Sequence, residues 1–128
     1  MIGNGKSQTQ LWVEEFHKKK GHLVNTYFNR NDALFRIRLI SEEFSELVKA
    51  ADLKNIIDFI DALGDLEYVV NGTAVTFGIP LEEVIREIHL SNMSKGENFE
   101  GKPVKGDNFH YPNFKTVIAR MLLEVNKH

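Results

Sequence analysis

The stretch ISEEFSELVKAADLKNIIDFIDALGDLEYVV, from Ile40 to Val70, constrains the fold more than any other part of the chain. Its apolar residues recur every three or four positions, the period of a helix seen from one side. The same stretch carries Glu42, Glu43 and Glu46 on one predicted helix and Asp58, Asp61 and Asp65 on the next. Two neighbouring helices can therefore present acids to one another, and any fold built on them has to accommodate that charge.

The helical period extends along most of the chain. Ser7 or Thr9 caps a first predicted helix that runs to about Lys20, with Trp12, Val13 and Phe16 inward and Gly21 as its stop. Met1–Lys6 is expected to fray, and His22–Asn31 is a connection with LVNTYF as a short strand candidate. Asp32 caps a second helix reaching about Ala51, with Ile37, Ile40, Phe44, Leu47 and Ala51 as its buried stripe. Phe35 and Leu39 lie on its other side, so this helix is expected to be sandwiched, within a bundle or between subunits. A turn at Asp52–Asn55 leads to a third helix ending near Phe77. Its wide apolar surface (Ile56, Phe59, Ile60, Leu63, Leu66, Val70, Ala74, Phe77) marks it as the central one. Gly64 and Gly72 inside it carry a propensity cost, which a close helix approach or a ligand would explain. Gly78 ends it, and Pro80 opens a fourth helix to about Met93, with Leu81, Val84, Ile85 and Ile88 inward. Lys95–Asn113 reads as a long loop. A last helix covers Asn113 to about Asn126, packing through Phe114, Val117, Ile118, Met121 and Leu122. The fold expected is all-α, a compact bundle of four to five helices forming one domain over residues 1–128 and assembled as an oligomer.

Composition narrows the chemistry. The chain has 128 residues, a formal net charge of -2 and no cysteine. Disulfides and thiolate ligands are excluded, so a metal would be held by oxygen or imidazole. The charge gives no general pull toward nucleic acid or an anionic membrane, and the longest helices are acidic, so no nucleic-acid partner is expected. No segment has the uninterrupted apolar length of a membrane helix, and MIGNGKSQTQ lacks the apolar run of a signal peptide. The expectation is no membrane partner and a cytoplasmic location.

Carboxylates held close repel unless they are solvated or neutralised by a cation. A solvated face is one reading of the acids on the second helix. The strip Asp58, Asp61 and Asp65 lies on an otherwise apolar helix, and acids inside a bundle are a common way to build a carboxylate metal site. Hard oxygen ligands point to Mg²⁺, with Mn²⁺ as the alternative. His17 and His89 read as packing or polar residues. Arg36 and Arg38 fit surface pairing with a glutamate one turn away, as Arg38 with Glu42.

EEFSE followed by DALGD resembles the all-alpha nucleoside triphosphate pyrophosphohydrolase superfamily, which contains MazG-type enzymes, dimeric dUTPases and phosphoribosyl-ATP pyrophosphohydrolases. Its hallmark is an EExxE helix followed by an ExxD helix. The likeness continues through DALGDLEYVVNGTAVTFGIP, EVIREIHLSNMSK and GKPVKGDNFHYPN, covering roughly Glu14 to Asn113. Glu42, Glu43 and Glu46 match EExxE, and Asp65 matches the ExxD aspartate. The glutamate position of ExxD holds Ala62, and Asp61, one turn before Asp65, is the candidate substitute.

The resemblance implies a homodimer or homotetramer with its site where the core helices meet. The implied reaction is hydrolysis between the α and β phosphates of a nucleoside triphosphate. Glu43, Glu46, Asp61 and Asp65 are then the expected metal ligands, with Glu42 or Glu43 orienting water. A triphosphate also needs cationic and polar contacts, for which Asn92, Lys95, Lys102 and Lys105 are the candidates. His110 and Tyr111 are placed to help close the loop over a base. The competing readings are a phosphoribosyl-ATP pyrophosphohydrolase and a catalytically silent, nucleotide-binding helical oligomer.

Overall fold

Several helix ends in this protein fall where side chains or glycines satisfy the backbone groups a helix leaves open. A computed structural model describes residues 4–127, and the fraying expected at Met1–Gly3 lies outside them. Among the described residues the order is α1 (Gln8–Lys20), α2 (Arg30–Asp52), α3 (Ile56–Phe77), α4 (Leu81–Met93), β1 (Gly96–Glu97), β2 (Pro103–Val104) and α5 (Lys115–Val125). Ser7 caps α1 by accepting from the Gln10 amide, and Gly21 ends it at φ 72°. Asn55 caps α3, and Gly78 closes it at φ 68°. The cap of α2 is Asn29 rather than Asp32. Its Oδ1 accepts from the Asp32 amide at 2.9 Å, while its Nδ2 donates to the Asp32 carboxylate at 2.7 Å.

Three segments differ from expectation. LVNTYF forms no strand; it runs beside the end of α3, where the Asn25 amide donates to Val75 O and the Thr26 amide to Thr76 O. The backbone there satisfies helix carbonyls rather than a sheet. The loop after α4 holds a small antiparallel pair, with Gly96 opposite Val104 and Glu97 opposite Pro103. Asn4–Lys6, expected to fray, is tied down. Gly5 O accepts from the Glu83 amide, and Lys6 pairs with Glu14 at 3.1 Å.

Helix α3 is central, as its composition suggested: α1 and α2 both pack on it. Ala74, Val75 and Phe77 in its second half are buried, together with Val13 of α1. Gln10 is also buried. It joins α1 to the α3–α4 connection by donating to Ile79 O at 2.6 Å and accepting from the Leu81 amide at 3.0 Å. At Gly72 side chains of α1 and α2 close onto α3. A Cβ there would collide with Arg36 Nη2 and lie 3.0 Å from His17 Nε2. Gly64, by contrast, faces open space.

The faces of α1 and α2 are not those expected. Trp12 is 58% exposed and Phe16 is also exposed, while Gln10, Val13 and His17 turn inward. On α2, Ile37 and Phe44 are more than half exposed, and the residues turned to α3 include Arg36, Glu43 and Ala50. A helix apolar on two sides has a period but no label saying which side meets α3. Ile56, Ile60 and Leu63 on the first half of α3 are likewise exposed, as are Ile85, Ile118 and Leu122 on α4 and α5. Val117 and Val125 are the buried residues of α5. An ion pair, Arg120 Nε to Glu83 Oε2 at 3.0 Å, joins α5 to α4. No helix among the described residues is long and apolar enough to cross a membrane.

Gly72→Ala adds a methyl where the guanidinium already lies, so overpacking outweighs the helix-propensity gain. We expect a loss of about 2 kcal/mol, read as a lowered midpoint in urea denaturation.

Candidate active site

The seam between α2 and α3 carries acids at one end. Glu43 and Glu46 of α2 and Asp58, Asp61 and Asp65 of α3 line one cavity of about 280 Å³. On α2 the pattern 43, 46, 50 keeps the same face toward α3; on α3 it is 58, 61, 62, 65. Lys49 adds a cation to the rim, and Ala62, 4% exposed, forms part of the wall. Glu42 lies outside the lining but close enough to act on Glu43. Burial pushes the Glu43 carboxyl above its ordinary value, and the charges of Asp65, Glu46, Glu42 and Asp61 push it further.

The four expected ligands, Glu43, Glu46, Asp61 and Asp65, therefore share one cavity. Among the described residues, no three acids or histidines converge into a ready-made cage. The donor set is all carboxylate oxygen, the chemistry that suits Mg²⁺ or Mn²⁺, and Mg²⁺ needs few protein ligands because it keeps waters and shares substrate oxygens.

The basic and polar candidates are elsewhere. Asn92 is exposed near the end of α4, and its carbonyl accepts from the Lys95 amide. Lys102 lies 4.0 Å from Glu100. Lys105 sits over the rings of Phe109 and Tyr111, at 5.4 and 4.8 Å from their centroids. None of these four residues lines the acidic cavity. The loop that carries the lysines is strapped to α4, with Ser91 Oγ donating to His110 O and the His110 amide donating to Ser94 Oγ.

At the other end of the seam is a second cavity of about 240 Å³, which the sequence reading did not anticipate. Arg36, expected at the surface, is 7% exposed. Its Nε donates to Thr73 Oγ1 at 3.3 Å and its Nη2 to Val69 O at 2.9 Å. His17 Nδ1 donates to Leu23 O at 2.9 Å, which leaves Nε2 as the acceptor turned toward Gly72. Burial holds the His17 ring below its ordinary pKa against the raising effect of that hydrogen bond, and the Arg36 charge lowers it further. His17 is thus held neutral beside a cation. The 3-4 spacing of 36, 39, 43, 46 and 50 was the available signal. It places Arg36 on the acids' face, but the apolar stripe drew the assignment to the opposite one. No Arg38–Glu42 ion pair forms among the described residues.

A family profile described as phosphoribosyl-ATP pyrophosphohydrolase matches residues 13–92. The chain belongs to that family. Through it the protein is a member of the MazG-like all-alpha nucleoside triphosphate pyrophosphohydrolase superfamily. The phosphoribosyl-ATP pyrophosphohydrolase match runs from Val13 in α1 to Asn92 in α4. Both cavities fall inside it, and Lys95, Lys102 and Lys105 fall outside. The chain is also similar to an uncharacterized protein of Acanthamoeba polyphaga mimivirus, 40% identical over 77 residues. That alignment covers 55% of this chain and 31% of the viral protein, so the chain spans about a third of that relative's length.

Glu43→Gln removes one charge from the acidic cavity. A raised carboxyl pKa in the folded state means the native protein loses stability as pH rises through the carboxylate range, and the penalty is complete at pH 7. The variant should therefore be more stable than the parent at pH 7 in EDTA, by about 0.5 kcal/mol. That gain should vanish below the ordinary carboxyl value of 4.5. Added Mg²⁺ should raise the melting temperature of the parent and raise that of the variant less.

Proposed function

We propose that this protein is a Mg²⁺-dependent nucleotide pyrophosphohydrolase, with Mn²⁺ as an alternative ion. It would cleave the α–β phosphoanhydride of a nucleoside triphosphate to the monophosphate and pyrophosphate. The observation that carries this reading is the cavity that draws five carboxylates from two helices, in a chain of a pyrophosphohydrolase family. Glu43, Glu46, Asp61 and Asp65 would hold the ion. Bound there, it would offset phosphate charge and the charge that develops on the leaving pyrophosphate. Glu42 or Glu43 would orient a water whose oxygen bonds to the α phosphorus, and would accept its proton. The bond from that phosphorus to the bridging oxygen breaks, and pyrophosphate leaves with the electron pair. Asn92, Lys95, Lys102 and Lys105 are proposed to reach the phosphates from α4 and the loop after it.

The assembly proposed is a homodimer or homotetramer. Phe44, Ile56, Ile60 and Leu63 of α2 and α3 are each more than half exposed, and exposed apolar surface of this kind marks interaction sites. A second copy of this surface would cover it. Phe44→Glu should then shift the sedimentation coefficient toward that of a monomer.

Phosphoribosyl-ATP is the second reading of the substrate, favoured by the description of the matching family. A non-catalytic nucleotide-binding oligomer is the third, favoured by Ala62 at a position where the superfamily motif has glutamate. A substrate panel with Mg²⁺, Mn²⁺ or EDTA separates the three. Metal-dependent release of pyrophosphate from a triphosphate supports the proposal, and diphosphate plus phosphate as products contradicts it. Asp65→Asn, with folding retained, should reduce turnover on the order of 100-fold or more. Unchanged turnover would remove Asp65 from the proposed ligand set.

A further inference from the structure

The end of α1 and the segment after it are pinned on both sides and loose between. Upstream, α1 is held by Val13 in the core, by Gln10 on Ile79 O and the Leu81 amide, and by the Lys6–Glu14 ion pair. Downstream, the Asn25 and Thr26 amides donate to Val75 O and Thr76 O of α3. Between these pins every residue from Glu15 to Leu23 is exposed except His17, which is 3% exposed. Phe16 adds an edge-on contact with Tyr68, but both rings are exposed. His17 is therefore the buried tether of this stretch. It also ties the stretch to itself: Nδ1 donates to Leu23 O, and the His17 carbonyl accepts from the His22 amide at 2.8 Å. His17, His22 and Leu23 form one wall of the second cavity, and Asp32, Arg36 and Leu39 of α2 line it too.

The tether suits one protonation state. With its Nδ1–H used on Leu23 O, the neutral ring turns a lone pair toward Gly72, at the point that Arg36 Nη2 also crowds. Protonation puts an N–H there instead, donor against donor and cation against cation, in a place closed to water. The surrounding groups offer no relief. From α2, Arg36 is itself the cation, and the Asp32 carboxylate is engaged by the Asn29 side chain at 2.7 Å. From the segment after α1, the His22 ring stands edge-on at 5.3 Å and is a second base. On α1 itself, Glu14 is taken up by Lys6 and Lys18. The α3 residues beside the ring, Gly72 and Thr76, do not titrate. Among the described residues His17 forms no ion pair. Swinging the exposed stretch outward gives a charged ring water while both pins hold.

We propose that residues 15–23 are an acid-opened flap over the Arg36–Asp32 cavity, held shut by neutral His17 and released when that ring takes a proton. The device is independent of the reaction proposed above. Burial first, and then the charges of Arg36 and His22, hold the ring's pKa below the ordinary 6.5 while the flap is shut. Closure is therefore complete above 6.5 and is lost as pH falls below it. Amide hydrogen exchange on the full chain, corrected for the intrinsic rate at each pH, is the test. Protection of the amide at position 22 should fall about threefold or more between pH 7 and pH 5.5, while the Thr26 amide keeps its protection. The His17 ring nitrogens, followed by ¹⁵N NMR, should titrate over the same interval. His17→Asn, which keeps a donor for Leu23 O but cannot titrate, should remove the dependence, and His22→Gln should leave it. A flat profile at position 22, equal losses at positions 22 and 26, a dependence that survives His17→Asn, or one abolished by His22→Gln overturns the proposal. Where His17→Asn fails to fold, the parent decides: opening that does not track protonation of the His17 ring overturns it as well.

Discussion

The close approach of α1, α2 and α3 at Gly72 is the contact on which the rest of the arrangement depends. A side chain at position 72 would leave no room for the Arg36 guanidinium, which reaches Val69 O and Thr73 Oγ1 across the missing Cβ. His17 completes the junction from α1 in its neutral form, because a second positive charge beside Arg36 would be disfavoured there. These bonds set the rotation and the height of α2 on α3. Two turns further along, that same setting brings Glu43 near enough to Asp65 to feel its charge.

The acids make sense only as a consequence of that register. A helix pair free to choose would turn Ile37 and Phe44 inward and leave Glu43 and Glu46 in water. Here Ile37 and Phe44 are exposed while Glu43 is half-buried, and burial and the neighbouring acids, themselves exposed, push its carboxyl above the ordinary value. Such repulsion is tolerated where the carboxylates are solvated or a cation is bound, and the absence of cysteine would restrict any metal ligands to oxygen and imidazole. The small Ala62 belongs to the same face. It forms part of the wall of the cavity where the superfamily motif has a glutamate, and Asp58, Asp61 and Asp65 line the α3 side.

The inverted packing also concentrates apolar surface on the outside of the α2–α3 arm. Phe44, Ile60 and Leu63 are therefore spectators in a single chain, although they lie close in sequence to the acids. The buried core sits toward the other end of α3, around Ala74, Val75 and Phe77, where Gln10 and the Asn25–Thr26 backbone bind the remaining open carbonyls and amides. Rigid core and open acidic arm are two halves of one helix.

By itself the sequence determined which segments are helical, where most of them end, and which acids lie along the α2–α3 seam. Helical period, Ser7, Asn55, Gly21 and Gly78 act locally, through bonds within a few residues, so they are legible without a fold. The EExxE and DALGD stretches are local too. What the sequence left undecided was which side of each two-faced helix meets its neighbour. That is why Trp12 and Phe44 were expected inside, and Arg36 at the surface. The Asn29 cap was missed because Asp32, three residues on, has the same chemistry. Only the tertiary structure decided the facing, because the contact at Gly72 joins residues 55 positions apart in the chain, His17 to Gly72, and no local period reports it. The Arg36–Asp32 cavity exists for the same reason: its walls come from α1, α2, α3 and the segment after α1, and they meet only when all are in place.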